Sequence, residues 1–185
     1  TSLSRGVPRT MPGGTSGAPK HVWRAARLVL EGKGAYTAGD GEKAQSARGD
    51  FILTPNWSPH DHGNPGKEPV MWLDVLDMPT VNHFETSFME HFDEKAQNTN
   101  RQDGDSLERY GSGVLPDGTM DTFVHKSPVI HYTYVRTKPL TQRLMKAGYI
   151  DPAPGARVRP STHVNGGHVL APLGASPRPF PVAFT

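Results

Sequence analysis

Apolar residues fall in short runs broken by glycine and proline, not in long helical stripes. ARLVLEG (26–32), GAYTA (34–38) and EKAQS (42–46) each have strand length. Asp40-Gly41 separates the last two, and such a dipeptide between strands signals a two-residue hairpin. RGD at 48–50 reads as a tight turn into DFILT (50–54). PVMWLDVLDMP (69–79) is the longest strand candidate. Alternation along it puts Met71, Leu73 and Val75 on one face and Trp72, Asp74 and Leu76 on the other. A carboxylate beside Trp72 on a half-buried face calls for a partner.

Helical spacing comes later. VNHFETSFMEHF (81–92) carries apolar residues at 81, 84, 88, 89 and 92, which approximates a helical stripe with Thr80 as its cap. Thr137 is positioned to cap a second helix from Lys138, with Pro139 in its first turn and Gly148 ending it. Residues 1–20 read as a loop, 93–119 as a linker or long surface loop, and the last 35 residues as a Pro/Gly-rich connection. The expected division is a loop-like lead-in (1–20), a barrel portion (21–92) and a linker with a helical segment (93–185). The tail is expected to lead toward a second domain, and further sequence is expected before Thr1. Short strands followed by helical pieces argue for a mainly β fold, an antiparallel sandwich or barrel with peripheral helices.

Composition narrows the function classes. The 185 residues include 20 Gly and 18 Pro, as in a loop-rich globular chain with a modest core. A net charge of +2 from scattered basic residues gives no stripe for nucleic acid. No apolar run has the length of a membrane span, and no segment has signal-peptide character. Cysteine is absent, which excludes thiolate metal sites and suits a reducing compartment, so a cytoplasmic location is expected.

The candidate chemistry sits in GDFILTPNWSPHDHGN (49–64). His60 and His62 are two apart and share a face if they lie on a strand. Imidazole is a common ligand for Fe, Zn, Cu and Ni, and it also handles protons at neutral pH. The spacing alone fits metal ligands, a proton-handling pair or ordinary surface residues. The context adds more: Gly49, five residues, Pro55, four residues, His60, three residues, Asn64. Upstream, Gly13 is followed by five residues and then Pro19-Lys20-His21.

These spacings resemble the two motifs of the cupin superfamily, with two departures. Trp57 stands where a glycine is usual, and Pro19 stands where the first histidine of a His-x-His pair is usual. RLVLEGKGAYTAGDGEKAQSARGDFILTPNWSPHDHGN with MWLDVLDMP, and later SPVIHYTYVRT, KAGYIDP and VNGGHVLAPLGA, resemble gentisate 1,2-dioxygenase and its salicylate and hydroxynaphthoate relatives. The resemblance covers most of residues 13–175. It implies a double-stranded cupin barrel, incomplete here, as the first of two such domains. It also implies Fe(II), a small aromatic hydroxy-acid and O₂, with ring opening between the carbons that carry carboxylate and hydroxyl. Carried over residue by residue, His21 and His60 become metal ligands and Pro19 an empty ligand position. Arg27 and His62 become substrate contacts, with His62 near the reacting oxygens, and Asp74 becomes a polar pocket residue.

Rival readings remain. Arg27 is either a carboxylate clamp or half of a structural ion pair, and Trp57 and Trp72 read as packing residues. A decayed cupin without catalysis is the alternative that Pro19 favours. A third option is another divalent metal held by His21, His60 and His62 for isomerase or lyase chemistry. His83, His91, His125, His131, His163 and His168 have no convergent spacing. Open strand edges predict a homo-oligomer.

Overall fold

The hairpin signalled by Asp40-Gly41 organises one side of the molecule. Strands β6 (Lys33–Gly39) and β7 (Glu42–Ala47) pair antiparallel across it. Asp40 and Gly41 both take positive φ, 48° and 82°, as a tight primed turn requires. This computed structural model describes residues 3–91, 96–117, 126–150, 155–156 and 158–170.

Two sheets face each other. The first contains β5 (Ala25–Glu31), β8 (Phe51–Thr54) and β10 (Val70–Leu76), with β1 (Ser4–Gly6) and β2 (Arg9–Thr10) against β10 and β12 (His131–Tyr132) against β8. The second runs β3 (Thr15–Ser16), β9 (His60–Gly63), β6, β7. A separate ribbon pairs β4 (Pro19–His21) with β11 (Met89–His91). Among the described residues the strands do not close into one barrel. Val29, Ala35, Ile52, Val70 and Trp72 form one buried cluster between the sheets. Ala26 and Leu53 form another with Val169 and Leu170, far along the chain.

Four expectations are corrected. Residues 1–20 are not a plain loop, because four short strands there pair with β9, β10 and β11. Each has only two or three residues, too few to show alternation. The helix expected over 81–92 is instead α1 (Met78–His83), followed by strand β11. Pro79 fixes the first turn, the preceding residue is Asp77 and not Thr80, and Phe84, Phe88 and Met89 are exposed. The polar stretch after 93 is packed where it is described. Gln97 bonds Ala38 O and Pro59 O, and α2 (Asp105–Tyr110) docks its Ser106 N–H on the buried Glu42 carboxylate. The last helix, α3 (Tyr134–Lys146), starts at Tyr134 with Pro139 inside it, though Gly148 does follow its end at φ 78°.

Gly49 holds the other tight turn, at φ 89°. A Cβ there would lie 2.6 Å from Cγ of Tyr134. Gly49→Ala is expected to cost more than the ~1 kcal/mol of left-handed strain alone, read as a lower urea midpoint. An unchanged midpoint would show that Tyr134 does not pack on this turn.

Candidate active site

Period-2 geometry delivers the central pair. His60 and His62 both lie on β9, with ring centroids 5.7 Å apart. Strand β4 brings His21 to them across 39 residues of chain, its ring 4.6 Å from that of His60. Trp23 stacks on the other face of His21 at 4.3 Å. Trp72, from the facing sheet, lies 5.9 Å from His62. All three histidines therefore meet between the sheets.

Arg27 completes the site from β5. Its direct cross-strand partner on β10 is Asp74, with Nε 3.1 Å from Oδ1. Nη1 also donates to Thr54 Oγ1 from the neighbouring strand β8. Asp74 has thus found the partner that its place beside Trp72 demanded. The ion pair is real, and the guanidinium has five N–H donors, so pairing with Asp74 and Thr54 leaves others for a guest. Arg27 is buried, with 6% of its surface exposed, which strengthens its electrostatic interactions with its neighbours.

Burial sets the protonation states. It holds His60 down at about 3, with Arg27 and His21 adding repulsion. It holds His62 well below its ordinary value, again with Arg27 contributing, and lowers His21 as well. Burial lowers Arg27 too, with Asp74 opposing that shift, and raises Asp74 against the pull of Arg27. The site at neutral pH is three uncharged imidazoles facing one cation.

The tautomers follow from the partners. Nδ1 of His21 is 2.9 Å from Trp23 O, and Nδ1 of His60 is 2.9 Å from Ser58 O. A carbonyl only accepts, so each Nδ1 carries the proton and each Nε2 keeps its lone pair, the form that binds metals. His62 Nδ1 is engaged by Thr37 Oγ1 at 2.9 Å. A three-ligand cage is nevertheless not present. Among the described residues no group of three or more His, Cys, Asp or Glu could hold a metal ion. Pro19 occupies the expected third position on β4 and has no side-chain donor. The structure thus fits two ligands of an iron site and not a third, and the cage of His21, His60 and His62 does not assemble.

Other motif positions prove structural. Asn64 is buried, donates to Thr10 O and Glu68 O, and accepts from Gly66 N–H. Trp57 takes φ 57°, a conformation that suits the glycine usual there, and leans on Phe88 and Lys20. Thr37, Thr54 and Trp23 touch His62, Arg27 and His21, and the motif spacing does not point to them. The signal for Thr37 lies in register, since it pairs directly with His62. His131 is removed from the site: its Nε2 meets Asp50 Oδ2 at 3.0 Å, a buried pair that ties β12 to the turn before β8. His125 lies outside the described residues.

The cupin domain family matches residues 8–76, the stretch that carries His21, Arg27, His60, His62 and Asp74. Residues 8–76 carry a cupin domain, and the chain is similar to gentisate 1,2-dioxygenases. It is 38% identical over 159 residues to gentisate 1,2-dioxygenase 1 of Aquipseudomonas alcaligenes, covering 86% of this chain and 46% of that protein. It is 35% identical to a gentisate 1,2-dioxygenase of Ralstonia sp., covering 81% and 44%. Among solved structures, salicylate 1,2-dioxygenase from Pseudoaminobacter salicylatoxidans with gentisate adducts superposes with a TM-score of 0.80 at 26% identity, covering 91% of this chain and 48% of that one. This cupin spans about half the length of the curated relatives it matches. No described helix is long and apolar enough to cross a membrane.

Proposed function

We propose that this cupin supplies the substrate pocket of an Fe(II)-dependent dioxygenase that opens the ring of gentisate or a related hydroxybenzoate with O₂. The observation that carries the reading is the buried Arg27 guanidinium facing three neutral imidazoles between the two sheets. A guanidinium fork matches a carboxylate bidentately, and burial strengthens that contact. Arg27 would hold the carboxylate, with Asp74 and Thr54 fixing its plane. His62, pinned by Thr37 and flanked by Trp72, would exchange a proton with the ring hydroxyl. His21 and His60 would present Nε2 to the iron. Open sheet edges and the exposed Phe84, Phe88 and Met89 support a homo-oligomer, and the absence of cysteine supports the cytoplasm.

The test is calorimetric titration of the chain with gentisate and with its neutral amide. Gentisate is expected to bind at least about 10-fold more tightly, because a charge-assisted guanidinium–carboxylate fork is roughly twice as strong as the neutral contacts the amide could make, and about 1.4 kcal/mol is tenfold in affinity. Equal affinities would remove the clamp. A second reading, a binding module without catalysis, is favoured by Pro19. Reconstitution with Fe(II) separates the two: stoichiometric iron with oxygen uptake on adding gentisate supports the enzyme, and binding without either supports the module.

A further inference from the structure

The strand pair that carries Arg27 has a second face. Arg27 pairs with Ile52, which is buried between the sheets, so the next pair, Leu28 with Phe51, points the other way. On that outer side Phe51, helix α3 and the segment from Val158 to His163 border a cleft of about 190 Å³. Phe51, Tyr132 and His163 give it an aromatic wall. The Tyr132 ring centroid is 6.4 Å from each of the other two, tilted against Phe51 and nearly parallel to His163. Leu140, Val158 and Pro160 supply aliphatic surface. The Tyr132 hydroxyl is taken up by Ser161 O and Ser127 Oγ. Two polar groups are left. Neither ring nitrogen of His163 has a hydrogen-bond partner among the described residues, and Nδ1 is sealed from water. Arg159 lines the cleft without an ion pair to a described residue, and no carboxylate lines it among the described residues. Burial lowers His163, with Arg136 adding repulsion, so its ring is uncharged at neutral pH.

We propose that this cleft binds a single-ring aromatic carboxylate, at a site separate from the one around Arg27. Its volume suits one ring, since drug-sized ligands take about 300 Å³ or more. Phe51 and Tyr132 offer ring faces and edges to an aromatic guest. The Arg159 fork matches a carboxylate, and a neutral His163 can carry its proton on Nε2 and donate beside it. Two other clefts lack this complementarity. The groove that holds Arg9, Lys33 and Arg48 also holds Glu31 and Glu68. In the cleft near Tyr110, Arg101, Arg109 and Lys126 are already paired with Asp105 and Asp40. The proposed cleft shares no lining residue with the histidine site, so it needs neither a metal nor Arg27.

Amide shift mapping by NMR on the full chain, with benzoate as the probe, tests this. Benzoate is expected to move the amides of Leu140, Ser161 and His163 in a saturable way, apart from any change at His60 and His62. Acetate lacks the ring and benzamide lacks the charge, so each should bind there at least about 3-fold more weakly. Leu140→Trp should weaken benzoate at this site by more than about 10-fold, because the larger ring overfills the cleft. Leu140 is 49% exposed, so the urea midpoint should not move, which separates a blocked cleft from misfolding. Arg159→Gln should weaken benzoate by about 3-fold, the effect of an exposed charge pair. Absent shifts at Leu140, Ser161 and His163 overturn the proposal, as do shifts that survive both variants unchanged. An equal response to acetate means an anion patch without ring recognition, and an equal response to benzamide means that no carboxylate is read; either result overturns it too. Benzoate shifts confined to His60 and His62 would reject this cleft while leaving the Arg27 pocket in place.

Discussion

Arg27→Met should abolish measurable gentisate binding and also destabilise the fold by about 3–5 kcal/mol, the usual cost of breaking a buried ion pair from one side. Both effects have one origin. Arg27 and Asp74 are direct cross-strand neighbours on β5 and β10, with Nε and Oδ1 3.1 Å apart. Removing the guanidinium leaves Asp74 in a place where burial already pushes its carboxyl up toward protonation. Removing both charges should separate the two roles. The double variant Arg27→Met/Asp74→Leu is expected to regain much of the urea midpoint, because apolar replacement of a buried pair is often neutral. It should not regain gentisate binding. Arg27→Lys should keep the charge but lose the fork, and so bind more weakly than the native chain. If Arg27→Met binds gentisate with native affinity, Arg27 is a structural residue alone.

The parts of this site that could be read from the sequence are those set by local spacing. A period of two places His60 and His62 on one face, and Asp-Gly places the β6–β7 turn. The motif spacing also brings His21 to His60, because it encodes strand lengths and turns. Contacts that depend on register between strands left no such mark. Thr37 against His62 and Thr54 against Arg27 are ordinary threonines until the pairing is known. His131 and Asp50 are 81 residues apart with no pattern linking them. The polar segment around Gln97 looked like a free loop because its docking uses hydrogen bonds to β6 and β9 and not an apolar stripe. Strand β11 was hidden for another reason. Phe84, Phe88 and Met89 imitate a helical stripe, yet they are exposed, and only the strand pairing puts His91 opposite Pro19.

The two departures from the motif are also unequal in physical terms. At position 57 the backbone demand survives: the chain still turns through positive φ, and tryptophan accepts the strain while gaining ring contacts with Phe88 and Lys20. Such strain costs about 1–3 kcal/mol and leaves the path of β9 intact. At position 19 the backbone is also unaffected, since Pro19 still lies on β4. What is lost there is a donor atom, which no neighbouring backbone adjustment can replace. The fold thus tolerates both changes, and only the second touches the chemistry.

The same buried imidazoles should make the metal-free chain sensitive to mild acid. His60 takes up its proton near 3 in the folded state, against an ordinary value of 6.5. Between those values the unfolded chain binds a proton that the folded chain refuses. Stability is therefore full above about pH 6.5 and is lost as pH falls toward 3, by up to about 1.4 kcal/mol per pH unit for this one group. His21 and His62 are lowered by burial as well and act in the same direction. Glu42 and Asp74 act the other way: burial raises both, so above their ordinary values of 4.5 and 3.8 the folded state gains protons first and offsets part of the loss. The decline should begin near pH 6.5, with the carboxyls offsetting part of it as they protonate in the folded state. Urea midpoints measured from pH 8 to pH 4.5 should be level at first and then fall, and His60→Gln should flatten the fall because a neutral amide has no proton to gain. A midpoint that stays level to pH 4.5 would mean that these rings reach water, and the dry wall of neutral nitrogens facing Arg27 would not exist.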